Sequence, residues 1–159
     1  ILYIFYQLIN CLHYIHKRKI IHRDIKLDNI LISNDKKIKL IDFGISILLK
    51  NKFKQCNTCM TPLYCAPEIL SDNNICSKAI DVWSSGILLY YLLYGIYPFN
   101  GTTINEVIYN IKKSKLIFPE YASIKDINFI NNILKKEPSE RITTKEILKS
   151  DYIISSLTI

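Results

Sequence analysis

Between Ile1 and Lys19 the apolar residues fall at positions 1, 4, 5, 8, 9, 12 and 15, the spacing that gathers one apolar face on a helix. Ile30 to Ser33 and Ile38 to Ile41 are short runs rich in β-branched residues. The polar stretch Ser33-Asn34-Asp35-Lys36-Lys37 between them predicts a hairpin. From Ile45 to Cys65 no period survives, which predicts a long loop. Ser77 to Gly95 is apolar on nearly every side and predicts a helix buried within the molecule, with Ser77 as N-cap and Gly95 as C-cap. Thr103 to Lys113 is amphipathic, and Lys125 to Lys136 predicts another helix, stopped by Pro138. Thr143 to Ser150 predicts a short one, capped by Thr143 or Thr144 with Glu146 in its first turn. A two-stranded hairpin cannot carry a core alone. The expected fold is therefore mainly α with a small β-hairpin, its core centred on Ser77 to Gly95.

Composition changes this picture little. Hydrophobic residues make up 49% of the 159-residue chain, enough for a core. The net charge of +7 comes from scattered lysines without interleaved aromatics, so no nucleic-acid partner is expected. The most membrane-like run, Ile87 to Tyr97, is about half the ~20 apolar residues a span needs, so no membrane partner is expected either. Of five cysteines only Cys56 and Cys59 share a C-x2-C spacing, with no second pair to complete a zinc site. Reduced thiols and a cytoplasmic or nuclear location follow as expectations. The chain opens at Ile1 in mid-helix with no cap, the pattern expected of a fragment.

The chemistry is concentrated in His22-Arg23-Asp24-Ile25-Lys26-Leu27-Asp28-Asn29, between the first helix and the hairpin. Thirteen residues after Asn29 comes Asp42-Phe43-Gly44, and later Ala66-Pro67-Glu68. Phosphoryl transfer needs neutralised phosphates, an oriented nucleophile and a base for the hydroxyl proton. Asp24 on its loop can take that proton, and Lys26 can neutralise charge developing on the transferred group. Asn29 and Asp42 can each give an oxygen to Mg²⁺, a hard cation. Gly44 is expected to supply the backbone freedom that aims the Asp42 carboxylate. Any one of these residues alone would read as a turn former. Together, in this order, they do not.

The three segments resemble the catalytic loop (22–29), the magnesium loop and the end of the activation segment (42–68) of eukaryotic protein kinases. The resemblance covers essentially the whole chain. It implies the C-terminal, helical lobe of the kinase fold over 1–159, with its central helix at about 77–95 and the N-terminal lobe absent. It implies ATP and Mg²⁺ as cofactors and proteins bearing Ser or Thr as substrates. Lys26 and the run Thr61-Pro62-Leu63-Tyr64 are similar to the serine/threonine type, in which Thr61 would bond the catalytic Asp and Lys. Asp81 to Phe99 resembles calcium/calmodulin-dependent and related kinases. The resemblance also gives structural roles. His22 would stack on Phe43, Asp81 would hold the backbone of the catalytic loop, and Glu68 would pair with Arg141. Leu31, with Ile30 and Ile32, would floor the adenine pocket, supported by Leu88 and Leu92.

Two departures from the family pattern stand out. Met60 occupies a position where Gly usually precedes the docking-loop Thr. Asn57 occupies the usual phosphorylation position, leaving Thr58 as the residue whose phosphate Arg23 would hold, with Lys50, Lys52 and Lys54 in the same loop. The alternative to an active serine/threonine kinase fragment is a pseudokinase or a non-catalytic partner-binding lobe. A Gly-rich loop and a Lys in frame upstream of Ile1 would decide for the enzyme.

Overall fold

The computed structural model describes residues 1–49, 61–71 and 75–157, together with the backbone of residues 54 and 55. Helix α1, Leu2–Lys17, buries Phe5, Leu8, Ile9, Leu12 and Ile15 on one face, and with them His16. Strand β1, Ile20–Ile21, follows at once. Strands β2, Ile30–Ile32, and β3, Ile38–Leu40, form the expected antiparallel hairpin, with Ile30 opposite Leu40 and Ile32 opposite Ile38. Its turn closes through Ser33 N–H to Lys37 O at 2.9 Å, with Lys36 in the left-handed region at φ 59°.

The stretch from Ile45 to Cys65 departs from a plain loop. Strand β4, Ile47–Leu48, pairs antiparallel with β1, and β5, Lys54–Gln55, pairs with β6, Ile75–Cys76. Pro62–Tyr64 forms a 3₁₀ turn. Two-residue strands are too short to leave a period in the sequence, and their partners lie far along the chain.

Helix α2, Ala79–Tyr94, is the centre of the molecule: Ile80, Val82, Trp83, Ile87, Leu88, Leu89 and Tyr90 are all buried. It starts after Lys78 rather than at Ser77, whose hydroxyl instead accepts the Ala79 N–H at 3.2 Å. Gly95 ends it at φ 72°, as expected, donating its N–H to Tyr91 O at 2.8 Å. Gly86 is needed in mid-helix, because a Cβ there would stand 2.4 Å from Ile133 and 2.9 Å from Leu134.

Helix α3, Ile104–Lys113, is capped by Thr103, whose hydroxyl accepts the Glu106 N–H. Helix α4, Ile124–Ile133, stops short of Lys136, so Pro138 is not what ends it. The chain turns out of the helix early and presents the Lys135 carbonyl to Arg141, Nε at 3.1 Å and Nη2 at 2.9 Å. Helix α5, Thr144–Lys149, begins with a complete capping box between Thr143 and Glu146. Helix α6, Asp151–Leu157, packs back on α1 and α5. Among the described residues no helix is long and apolar enough to cross a membrane. Cys11 is free, but Cys65 and Cys76 are disulfide-bonded, which corrects the expectation of five reduced thiols. Cys56 and Cys59 lie outside the described residues.

Candidate active site

The loop between β1 and β2 is fixed from below by one carboxylate. Asp81, 1% exposed at the start of α2, accepts the His22 N–H and the Arg23 N–H, each at 2.9 Å. Its Oδ2 is also 2.8 Å from His16 Nε2. A buried carboxylate needs such partners, because an unpaired one would cost several kcal/mol. The bonds hold Arg23 at φ 72°, a backbone state that a side chain disfavours and that surrounding structure must impose. His16 went unflagged in the sequence. Its one signal is a polar residue on the buried face of α1, next to Ile15.

His22 is fully buried and bonded on both ring nitrogens. Nε2 donates to Ile41 O at 3.0 Å, and Nδ1 accepts the Asp24 N–H at 3.3 Å, which fixes the tautomer. Its ring meets Phe43 edge-on at 4.7 Å between centroids. The stack implied by the family resemblance is therefore present, and it links the two loops.

Next to this anchor sit the candidate side chains. Asp24 Oδ2 is 2.8 Å from Lys26 Nζ and accepts Asn29 Nδ2–H at 2.9 Å; Asn29 Nδ2 also donates to Asp24 O at 2.8 Å. The bond to Asp24 raises the Lys26 pKa, and the charges of Asp24, Asp28 and Asp42 reinforce that against partial desolvation. Asp42 thus lies within electrostatic reach of Lys26. The hairpin brings it there, since Ile41 N–H donates to Asn29 O at 3.0 Å.

Gly44 has a different role from the one expected. Asp42 itself takes the left-handed conformation, φ 63°, and Gly44 has no positive φ. Gly44 instead lets its backbone approach, its N–H donating to Asp42 Oδ1 at 3.1 Å where a Cβ would stand 3.1 Å from that same oxygen. The donor set suits Mg²⁺. Asn29 spends its NH₂ group on Asp24 and keeps its carbonyl oxygen, and Asp42 keeps Oδ2. Two hard oxygens beside a phosphate are what that ion takes from proteins.

The surrounding parts fall as follows. Leu31 and Ile32 are 51% and 55% exposed, whereas Ile30 is buried at 8%. Ile30 therefore belongs to the core, and Leu31 and Ile32, successive residues of β2, leave the strand on opposite faces. Leu88 is buried and Leu92 half-buried. Thr61 lines a small cleft with Asp24, Arg23 and Tyr64, and Ser84 Oγ pins the Tyr64 carbonyl to α2 at 2.8 Å. Arg23 Nε donates to Ile45 O, and burial lowers its guanidinium pKa. Thr58 and Met60 lie outside the described residues. Glu68 and Arg141 meet in a two-pronged pair, Nη1 to Oε1 at 2.8 Å and Nη2 to Oε2 at 3.1 Å. Arg141 Nη1 also donates to Ala79 O at 2.8 Å.

Comparison with known proteins bears on the family of the chain. The family model described as the protein kinase domain matches residues 1–153. A probable serine/threonine-protein kinase PLK of Dictyostelium discoideum is 39% identical over 97% of this chain and 16% of its own length. The serine/threonine-protein kinase ppk34 of Schizosaccharomyces pombe is 36% identical over 94% of this chain and 43% of its own. For the CBL-interacting protein kinase 11 of Oryza sativa subsp. japonica the figures are 36%, 93% and 30%. The chain thus spans less than half the length of each of these relatives.

Proposed function

The chain belongs to the protein kinase domain family, serine/threonine type, and from that premise we propose that it is the C-terminal lobe of a catalytic domain that moves the γ-phosphoryl group of ATP to Ser or Thr hydroxyls of proteins. The observation that carries the proposal is the joined set Asp24, Lys26 and Asn29, held from below by Asp81. Asp24 sits where a substrate hydroxyl entering beside Thr61 would meet it, and takes its proton as the oxygen attacks the γ-phosphorus. ADP leaves with the electrons of the broken P–O bond. Lys26, held charged by Asp24, balances the equatorial oxygens of the transferred group. Asn29 and Asp42 would hold Mg²⁺, which supplies neutralisation of the ATP phosphates when bound. Leu31 would offer the adenine ring one apolar face, and an N-terminal lobe would supply the other.

Two measurements test the proposal. Joined to an N-terminal lobe, the Asp24→Asn chain should lose roughly 10²–10⁴-fold in turnover, the range for a positioned general base, and keep its affinity for Mg²⁺ATP. Unchanged phosphorylation of a protein substrate would refute the assignment. Asp42→Ala should weaken Mg²⁺-dependent ATP binding more than Asn29→Ala, because a carboxylate brings charge and an amide does not. The 159-residue chain alone should bind nucleotide weakly and transfer no phosphate.

A further inference from the structure

On the far side of the Asp81 anchor, away from the cleft of Asp24, a cavity of about 330 Å³ opens between the end of α1, the start of α2 and the segment leading into α5. That volume is in the range of small-ligand pockets. Its walls are apolar, formed by Ala79, Val82, Pro138 and Ile142. Its polar lining holds Lys17 on α1, Lys78 before α2 and Lys145 on α5, with His13, His16, Thr143 and Thr144 among them and the Arg141 side chain, paired with Glu68, behind. No Asp or Glu lines it. Lys17, Lys78 and Lys145 are exposed and form no ion pair among the described residues. Three elements distant in sequence thus bring like charges together around an apolar hollow, with Glu146 beside Lys145 outside the lining, an arrangement whose field favours an anion.

We infer that this cavity binds a small amphiphilic anion, an apolar body of about eight carbons carrying one carboxylate or phosphate head. The apolar body fills the hollow against Val82 and Ile142, and the head sits among the three ammonium groups. His13 reports on the same field. Burial, and then the positive charges of Lys17, His16, Lys145 and Lys78, hold its pKa below the ordinary value. Its Nδ1 lies 3.1 Å from the hydroxyl of Thr144. A bound anion would offset those charges and move the His13 titration upward. The cavity also touches both anchors of the candidate active site, His16 bonded to Asp81 and Arg141 bonded to Glu68. A ligand there would rest against the supports of the loops without entering the nucleotide or substrate cleft.

The test is calorimetric titration of the 159-residue chain with octyl phosphate and with octanoate, beside octanol and octyltrimethylammonium. It measures binding alone, so its outcome is independent of whether the chain forms part of an active kinase. Saturable binding of one or both anions is expected, with little from the neutral and cationic probes. The phosphate ester binding more tightly would mark a phosphate head as the natural one, and the reverse order a carboxylate. The paired change Lys17→Glu with Lys145→Glu should weaken binding about tenfold or more, the sum of several exposed charge contacts. Lys113→Glu with Lys115→Glu, equal in charge change but on and after α3, should leave it unaltered. The His13 ring resonance should titrate at higher pH with the anion bound. Absence of saturable binding, equal binding of octanol, or equal weakening by the two charge-reversed pairs would overturn the inference.

Discussion

The loop from His22 to Asn29 and the loop from Asp42 to Gly44 stand side by side, yet they are held in opposite ways. In the first, His22, Asp24 and Asn29 are 0%, 7% and 5% exposed, and the buried carboxylate of Asp81 fastens the backbone. In the second, Asp42, Phe43 and Gly44 are all exposed, and the bonding of the Asp42 carboxylate is local, to Gly44 two residues on. Both contain a side-chain residue at positive φ, Arg23 at 72° and Asp42 at 63°. Only the first has buried partners to impose it. The first loop, with Asp24 and Asn29, is thus completed by the helical core. The second, with Asp42, is left open to whatever packs against it. On the proposed function, a preformed base would stand beside an adjustable metal ligand, with the base aimed before substrate arrives.

Stability measurements can break or sharpen this contrast. The largest effect is expected at the two anchors. Arg141→Leu should cost about 3–5 kcal/mol, because it strands Glu68 and the carbonyls of Ala79 and Lys135 together. Glu68→Leu should cost less, and the double change should recover only part, as those carbonyls stay unpaired. Asp81→Ala should fall in the same range of roughly 3–5 kcal/mol by removing the partner of two buried donors and one half-buried one. Chemical denaturation midpoints measure each, and additive effects at Glu68 and Arg141 would deny their contact. Away from the site, Thr143→Ala should cost about 1 kcal/mol by removing a capping box. Asp42→Gly should change stability by less than about 0.5 kcal/mol, or raise it, since glycine relieves the positive φ while only the local bond to Gly44 is lost. If Asp42→Gly destabilises as much as Asp81→Ala, the contrast between the loops fails.

A further contrast is a pH dependence. Lys136 lies over the Phe99 ring at 3.8 Å and donates to Ile111 O, and burial lowers its pKa to about 8 from 10.5. The unfolded chain then binds more protons than the folded one between those two values. Stability should rise as pH climbs from about 8 towards 10.5, relative to Lys136→Met, in which this contribution is absent. Parallel profiles for the two proteins would contradict it.

How far the sequence reached follows from the same physics. Long elements with a clear period, Ile1 to Lys19 and Ser77 to Gly95, were placed within a few residues of α1 and α2, because burial of one face or of all faces leaves a pattern. The residue types of the candidate site stood out for a related reason: acid, base and amide lie at close spacing between His22 and Asn29. The sequence could not show pairings between short strands far apart, such as β1 with β4. Nor could it show that Gly86 lets α4 pack against α2, that His16 completes the Asp81 network, or that Asp42 rather than Gly44 takes the unusual backbone state. Each is a contact made across the fold, and periodicity reports only on a residue's own element.

Amide hydrogen exchange in the 159-residue chain compares the two loops most directly. The amides of His22 and Arg23, bonded to buried oxygens of Asp81, should exchange only through openings close in free energy to global unfolding. The Gly44 amide, bonded to the exposed Asp42, should exchange faster by orders of magnitude. Asp81→Asn should speed the first two and leave Gly44 as it was. Equal protection of all three amides, or slower exchange at Gly44, would contradict the account.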